Sequence, residues 1–212
     1  SAFSKIRSNG LIAINLEDGD ALIWVRLSKE GDSVLIGSRT GMTIHFRLDF
    51  NELRPLGRTA RGVKSMNLRY GDNLVSMDVL TSDLVEQIAK IEDTNNEIDI
   101  DLESQASRGP WVLVASAFGL GKRVPVTQFR LQKRAGMGLR AIKFRIKDDV
   151  LVGLKVLGEG EELLFVTEKG VIVRTNADKI SQQSRAATGV KLQKLDEGDH
   201  LSEVVLVPHE QI

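Results

Sequence analysis

The sequence contains no cysteine, so neither a disulfide framework nor a thiolate metal site can form. Aromatic residues make up only 5% of the 212 positions, so the core must consist mainly of valine, leucine and isoleucine. An apolar run of about eighteen residues, as a membrane-spanning helix would need, is absent. The three histidines occur singly, without the spacing of metal ligands and without a paired nucleophile. We therefore expect a chain that has no membrane segment, metal ion or cofactor and is not catalytic by itself.

Charge is balanced in total but separated along the chain. The sequence has 29 basic and 29 acidic residues. Residues 122–147 contain nine Lys or Arg and no acid, whereas residues 83–103 contain eight acids and one lysine. Separation of this kind creates a local electrostatic field that the neutral total conceals. A run of charge is often a solvated surface, but nine cations without an acid over 26 residues repel one another, which favours a polyanionic partner.

The sequence repeats at intervals of about fifty residues. Four segments contain an arginine followed closely by glycine, and their last glycines, at 10, 62, 138 and 189, are 52, 76 and 51 residues apart. The long interval contains the acidic stretch, which we interpret as an insertion at 81–108. This frame predicts one domain over 1–212 with a partial unit at 1–29 and complete units at 30–80, 109–157 and 158–212.

Each unit carries further markers in register. Ten residues after each loop glycine comes an acid, namely Asp20, Asp72, Asp148 and Asp199. A second glycine indicates a hairpin in three units, and four residues later come His45, Arg123 and Arg174. The pattern predicts four short strands per unit, which is an all-β, propeller-like array of four-stranded blades. A β-sandwich would not need so strict a period. In the insertion, Leu84, Ile88 and Ile91 are at helical spacing and predict a short helix.

The repeated arginines suggest a row of cations that faces a phosphate backbone, because guanidinium groups bind phosphate well and both series repeat. The alternative is that each arginine donates to a backbone carbonyl or to the aspartate of its own unit. One acid per turn is too few for a calcium site. The candidate DNA-contacting residues are Arg7, Arg54, Arg58, Arg61, Lys64, Lys122, Arg123, Arg130, Lys133, Arg134, Arg140, Lys143, Arg174 and Arg185.

The sequence carries signals for two other functions. Residues 119–122, Gly-Leu-Gly-Lys, superficially suggest a phosphate-binding loop, but the full P-loop spacing is missing and the segment occupies the hairpin position of its repeat. A protein-interaction propeller, whose blade faces would bind a peptide, remains the alternative from a different class.

Three segments resemble the C-terminal domain of the DNA gyrase A protein: residues 3–16, FSKIRSNGLIAINL, residues 57–63, GRTARGV, and residues 167–175, TEKGVIVRT. The resemblance covers nearly the whole chain outside the insertion. It implies a β-pinwheel, a propeller-like disc whose blades exchange strands, with double-stranded DNA wrapped around its basic edge. The corresponding protein of topoisomerase IV carries a related domain that wraps DNA weakly, and it is the close alternative.

The resemblance also implies a larger assembly. This domain would support negative supercoiling by an ATP-dependent type IIA topoisomerase, with the rest of the gyrase A protein and the gyrase B protein as partners. ATP and Mg²⁺ would be bound elsewhere in the holoenzyme, which we expect in the bacterial cytoplasm at the nucleoid, or in a plastid. Two features depart from the family: it usually has six blades, and its box rich in Gln, Arg and Gly is absent from these residues. Either the sequence begins after the first blade, or it is a reduced, weakly wrapping relative.

Overall fold

A computed structural model of the chain describes residues 4, 6, 8–49, 53–86, 88 and 109–207. The regular secondary structure of the described part is almost entirely β, and its strands are short and rich in β-branched and aliphatic residues. The strands are β1 (Ser33–Ser38), β2 (Met42–Arg47), β3 (Leu74–Leu80), β4 (Trp111–Ser116), β5 (Leu120–Pro125), β6 (Leu139–Arg140), β7 (Leu151–Leu157), β8 (Glu162–Thr167), β9 (Ile172–Asn176), β10 (Val190–Lys191) and β11 (Leu201–Leu206). Two 3₁₀ turns, Val126–Gln128 and Ala177–Lys179, follow β5 and β9.

The strands form three antiparallel sheets in which neighbouring units exchange a strand. The sheet orders are β3-β1-β2-β6, β10-β5-β4-β7 and β11-β8-β9. Strand β6 belongs to the second complete unit but pairs with β2 of the first, with Met42 opposite Arg140. Strand β10 of the last unit pairs in the same way with β5, with Leu120 opposite Lys191. The propeller-like pinwheel with exchanged strands is confirmed.

The sheets are stacked, so the central strands are apolar on both faces. In β4, Val112 and Val114 face a core shared with the sheet of β1, while Trp111 and Leu113 face a core shared with the sheet of β8. This double burial explains why the strand reads as a continuous apolar run rather than an alternating one. Strands β3, β7 and β11 are each the edge strand of their own sheet, and β7 packs against both β3 and β11. The exchanged strands β6 and β10 therefore lie at the opposite edge. Loops next to the exchanged strands therefore lie on the outer rim.

The repeated acid latches the tip of the hairpin in its own unit. The carboxylate of Asp72 accepts the backbone N–H of Thr40 at 3.0 Å, and that of Asp199 accepts the N–H of Lys169 at 3.1 Å. In the second complete unit the acceptor is Asp149, which is 3.1 Å from the N–H of Phe118. Burial acts to raise the pKa of Asp72, but hydrogen bonds from Thr40, Ser38 and Asn73 outweigh it, and the pKa is lowered overall. One carboxylate in each complete unit therefore stabilises the hairpin of that unit.

The assignment of Asp148 to this repeated position is wrong by one residue. Asp148 has a φ of +65°, and it occupies the left-handed position that Gly71 and Gly198 hold in the other units with φ of +76° and +66°. The second complete unit has one extra residue between its loop glycine and the latching acid. Two adjacent aspartates concealed that residue in the sequence, because an acid stands both ten and eleven residues after Gly138.

Other expectations are met in part. Residues 82–86 and 88 are helical, as the spacing of Leu84 and Ile88 predicts, whereas Ile91 and the rest of the insertion lie outside the described residues. Two of the three sheets have four strands, and the third has three strands within the described residues. No strand is assigned to the described residues of the partial unit. Within the described chain, no helix has the length and apolarity that crossing a membrane requires.

Candidate nucleic-acid interface

The repeated loop arginines join each unit to the one before it. The Nη1 group of Arg134 donates to the backbone carbonyl of Lys64 at 2.8 Å, and that of Arg58 donates to the carbonyl of Ile12 at 3.3 Å. The guanidinium of Arg185 likewise donates to the carbonyl of Arg140. In every case the acceptor is the second residue after the preceding loop glycine. The alternative weighed for these arginines, a bond to a backbone carbonyl, is therefore what the structure shows, and the carbonyl belongs to the neighbouring unit.

A second bond runs across each junction in the opposite direction. The backbone N–H groups of Asn15, Asn67 and Lys143, each five residues after a loop glycine, donate to the carbonyls of Ala60, Gly136 and Ala187 at 3.2, 2.9 and 3.2 Å. The loops also pass very close to the neighbouring sheet. A Cβ on Gly189, whose φ is +95°, would lie 2.6 Å from the carbonyl oxygen of Gly121. The loop glycine therefore supplies both a positive φ and close backbone approach.

Arg123 fixes the segment that follows β9 instead of facing solvent. Its Nε donates to the carbonyl of Ile180 at 2.9 Å, its Nη1 forms a 2.8 Å ion pair with Asp178, and its guanidinium stacks 4.6 Å from the ring centroid of Trp111. His45 occupies the same position in the first complete unit. Its Nδ1 lies 2.6 Å from the carbonyl of Phe129, which is the counterpart of Ile180. Burial is the main cause that lowers the pKa of His45, so a neutral ring suits this contact.

Lys122 is not a surface residue. Its side chain is fully buried, and its ammonium donates to the carbonyls of Ser184, Arg185 and Ala187 at 2.8, 2.6 and 2.6 Å. Burial, reinforced by the charge of Arg185, lowers the pKa of Lys122 to about 8. We therefore withdraw Lys122 from the candidate DNA contacts, because its ammonium is bonded to the loop that carries Arg185.

The structure also confirms the hairpin assignment of residues 119–122, which are the turn and first residues of β5.

Two further candidate cations are paired with acids at the surface. The guanidinium of Arg174 is bonded to the carboxylate of Glu162, with its Nε 2.7 Å from Oε2. Arg61 lies 3.3 Å from Glu17, and both side chains are largely exposed. Exposed pairs of this kind contribute little to stability and exchange readily with solvent. Arg7 lies outside the described residues.

Six candidate cations remain open to solvent. Within the described residues, their side chains are exposed and make no hydrogen bond or ion pair with other described groups. Several lie beside the junctions, since the carbonyls of Lys64 and Arg140 accept the arginines of the next loops. Each of these two junctions therefore brings two cations together on the rim. The six exposed cations are Arg54, Lys64, Arg130, Lys133, Arg140 and Lys143.

One further exposed cation belongs with this set, although the sequence patterns did not single it out. Arg47 ends β2 and lines a groove of about 440 Å³ with Phe46, Asp49 and residues 130–133. Arg47 does not stand out in the sequence, because Asp49 follows two residues later and the local charge is balanced. Aligning the ends of the second hairpin strands, Arg47, Pro125 and Asn176, would have revealed a cation at a position where the other units have none.

Within the described residues, no group of three or more histidines or acids could hold a metal ion.

Comparison with known sequences gives the family. The chain matches the family model described as the DNA gyrase C-terminal domain, β-propeller, over residues 1–29, 32–81, 110–157 and 161–208. It is 54% identical over 214 residues to the DNA gyrase A protein of Synechocystis sp., covering 98% of this chain and 25% of that protein. It is 38% identical to the DNA gyrase A protein of Staphylococcus epidermidis, covering 99% of this chain and 21% of that protein. The chain thus spans about a quarter of the length of the curated relatives it matches.

Solved structures show the same architecture. A gyrase A C-terminal domain superposes with a TM-score of 0.68 at 25% identity and covers 93% of this chain and 58% of that one. The C-terminal domain of DNA topoisomerase IV superposes with a TM-score of 0.76 at 24% identity and covers 97% of this chain and 56% of that one, a similarity that shows the fold alone. The sequence matches thus support the gyrase interpretation over the topoisomerase IV and protein-interaction alternatives. The chain belongs to the family of DNA gyrase A C-terminal domains.

Proposed function

We propose that this chain binds double-stranded DNA without sequence specificity and wraps it along the outer rim. The observation that carries the proposal is the set of exposed, unpaired cations next to the exchanged strands, which includes Lys64 and Arg140. Cations held close together at the junctions repel one another unless an anion lies between them. A phosphate backbone supplies such anions at regular spacing. Base readout is not expected, because the cations have few aromatic or amide side chains beside them.

The wider role follows from the same proposal. The wrapped DNA would be presented to the cleavage core of a gyrase, formed by the rest of the gyrase A protein together with the gyrase B protein, to support negative supercoiling. This domain would not cleave DNA, and the ATP and Mg²⁺ used by the holoenzyme would be bound outside it. The site of action would be the bacterial cytoplasm, at the nucleoid. Bending DNA over a short site costs about 1–6 kcal/mol, so many phosphate contacts are needed to offset it.

The test is the salt dependence of binding by the purified chain. The affinity for a mixed-sequence duplex is measured by fluorescence anisotropy over a series of KCl concentrations. We expect log K to fall linearly with log salt, with a slope of about −0.9 for each phosphate neutralised. A flat response would refute DNA binding through the rim.

Wrapping needs a separate measurement. Relaxed circular DNA is incubated with the chain, closed by a ligase and analysed for linking number after deproteinisation. A shift in linking number that grows with protein concentration is expected of wrapping. Binding with no change in linking number would leave a DNA-binding domain that does not wrap.

A further inference from the structure

The exposed cations are not distributed evenly among the junctions. The groove between the first two complete units is lined by Arg47, Arg130 and Lys133, with Asp49 as the one acid among its lining residues. Its counterpart between the last two complete units carries Pro125, Ser181 and Ser184 at the same positions, counted from the strand ends and the loop glycines. The three cations that line the charged groove therefore have uncharged counterparts at the next junction, and we call that surface the neutral groove.

The two grooves are held in place by the same hydrogen bonds. In the charged groove the N–H of Gln132 donates to the carbonyl of His45 at 2.7 Å, and the His45 ring contacts the carbonyl of Phe129. In the neutral groove the N–H of Gln183 donates to the carbonyl of Arg123 at 2.9 Å, and the Arg123 side chain bonds the carbonyl of Ile180. Each loop is anchored at both ends. The loop of the neutral groove is held further by Lys122 and by the ion pair between Arg123 and Asp178. The cationic side chains of the charged groove make no hydrogen bond or ion pair with other described groups, so its loop is held without them.

The backbone that carries the cations of the groove is fixed next to each of them. Arg130 and Lys133 each lie next to an anchored residue, Phe129 and Gln132 respectively. Arg47 is fixed at the end of a paired strand, where it stands opposite Ser33. Phe46 and Leu131 provide apolar walls, which weaken screening by water and strengthen the local field. Guanidinium groups bind phosphate oxygens in pairs, and the ammonium adds a point charge.

We infer that this groove is the principal phosphate-binding seat of the rim, so that DNA is held mainly at the junction of the first two complete units rather than evenly along all of them. The inference rests on the proposed DNA binding and assigns most of the binding affinity to this groove. It also assigns a role to Arg47. The neutral groove would guide the DNA path without contributing strongly to affinity.

The test replaces the charged residues by those of the neutral groove. The double variant Arg130→Ser/Lys133→Ser should fold, because serine stands at both counterpart positions, and thermal unfolding checks this. The matched control is Lys191→Ser/Lys194→Ser, which removes two exposed lysines from the last unit. Duplex affinity and its salt slope are measured for both variants and the parent chain.

The groove variant should weaken binding about tenfold or more at low salt and reduce the salt slope by about 2, whereas the control should change the slope by less than half as much. Equal effects of the two variants would overturn the inference while leaving the proposed function intact, because DNA would then contact the whole rim. A parent chain without salt-dependent binding would instead refute the proposed function. A third variant, Arg47→Gln, should reduce the slope by about 1, and no change would exclude Arg47 from the seat.

Discussion

Replacing Lys122 by methionine should destabilise the chain without altering its contact with DNA. Methionine keeps most of the apolar stem but leaves the carbonyls of Ser184, Arg185 and Ala187 without their ammonium donor. An unsatisfied buried polar group costs about 1–3 kcal/mol, and water can reach part of this loop. We therefore expect a loss of about 3 kcal/mol in the free energy of unfolding at neutral pH.

The assay is urea unfolding followed by circular dichroism, combined with the salt slope of DNA binding. The variant should show a lower midpoint at unchanged m, and a melting temperature reduced by about 6–12 °C. The control is Lys133→Met, since Lys133 is exposed and makes no hydrogen bond or ion pair with other described groups. The control should change stability by less than about 0.5 kcal/mol but reduce the salt slope by about 1.

The pH dependence of stability in the parent chain and in Lys122→Met provides an independent test. The pKa of Lys122 is lowered from 10.5 to about 8 in the folded chain, so above pH 8 the unfolded chain holds a proton that the folded chain has released. Stability contributed at this site should therefore rise between pH 8 and pH 10.5, and the gap between the parent and Lys122→Met should widen. A Lys122→Met variant as stable as the parent at neutral pH, or one that loses the same salt slope as Lys133→Met, would refute the buried role.

The other predictions concern the turns, the buried His45 and the junctions between units. Asp148→Gly should stabilise the chain by up to about 1 kcal/mol in urea unfolding, because glycine accepts the positive φ without strain, whereas Asp149→Ala should destabilise it by about 2 kcal/mol; the opposite ranking would restore Asp148 as the latch. Stability should fall as pH drops below 6.5, because the unfolded chain takes up a proton that buried His45 resists, and melting curves of His45→Gln should show a smaller fall. An equal fall in both chains would mean that other groups are responsible. Arg134→Gln should lower stability by about 1–2 kcal/mol while changing the DNA salt slope less than Arg140→Gln does, and a larger slope change for Arg134→Gln would return that residue to the phosphate contacts.

Much of the fold could be predicted because the repeat records it four times. The loop glycines, the hairpin glycines and the glycines that precede the repeated acids have a positive φ, which few other residues adopt. Glycine therefore recurs at these positions and is visible in the sequence. The apolar runs predict strands buried on both faces, and β4 is of this kind. In the second complete unit the sequence pattern selects Asp148 instead of Asp149, because the two residues have the same chemistry. Their difference is a backbone angle that the sequence does not contain.

The candidate site was predicted less well, because the fate of a cation depends on distant residues. Arg134 and the carbonyl that it binds are 70 residues apart, and Lys122 is 62 residues or more from its three acceptors. Nothing near these residues in the sequence distinguishes them from Lys133 or Arg140. A run of positive charge was therefore correctly identified, but it could not be divided into charges that bind protein and charges that face solvent.

The sequence by itself determined the all-β fold class and the concentration of positive charge in the middle of the chain. These properties are set by local patterns, namely turn residues, apolar runs and the order of charges. Only the tertiary structure decided which strands cross between units, which arginines join them and which cations remain exposed. Those outcomes depend on the distance between groups in neighbouring units, and that distance exists only once the sheets have stacked.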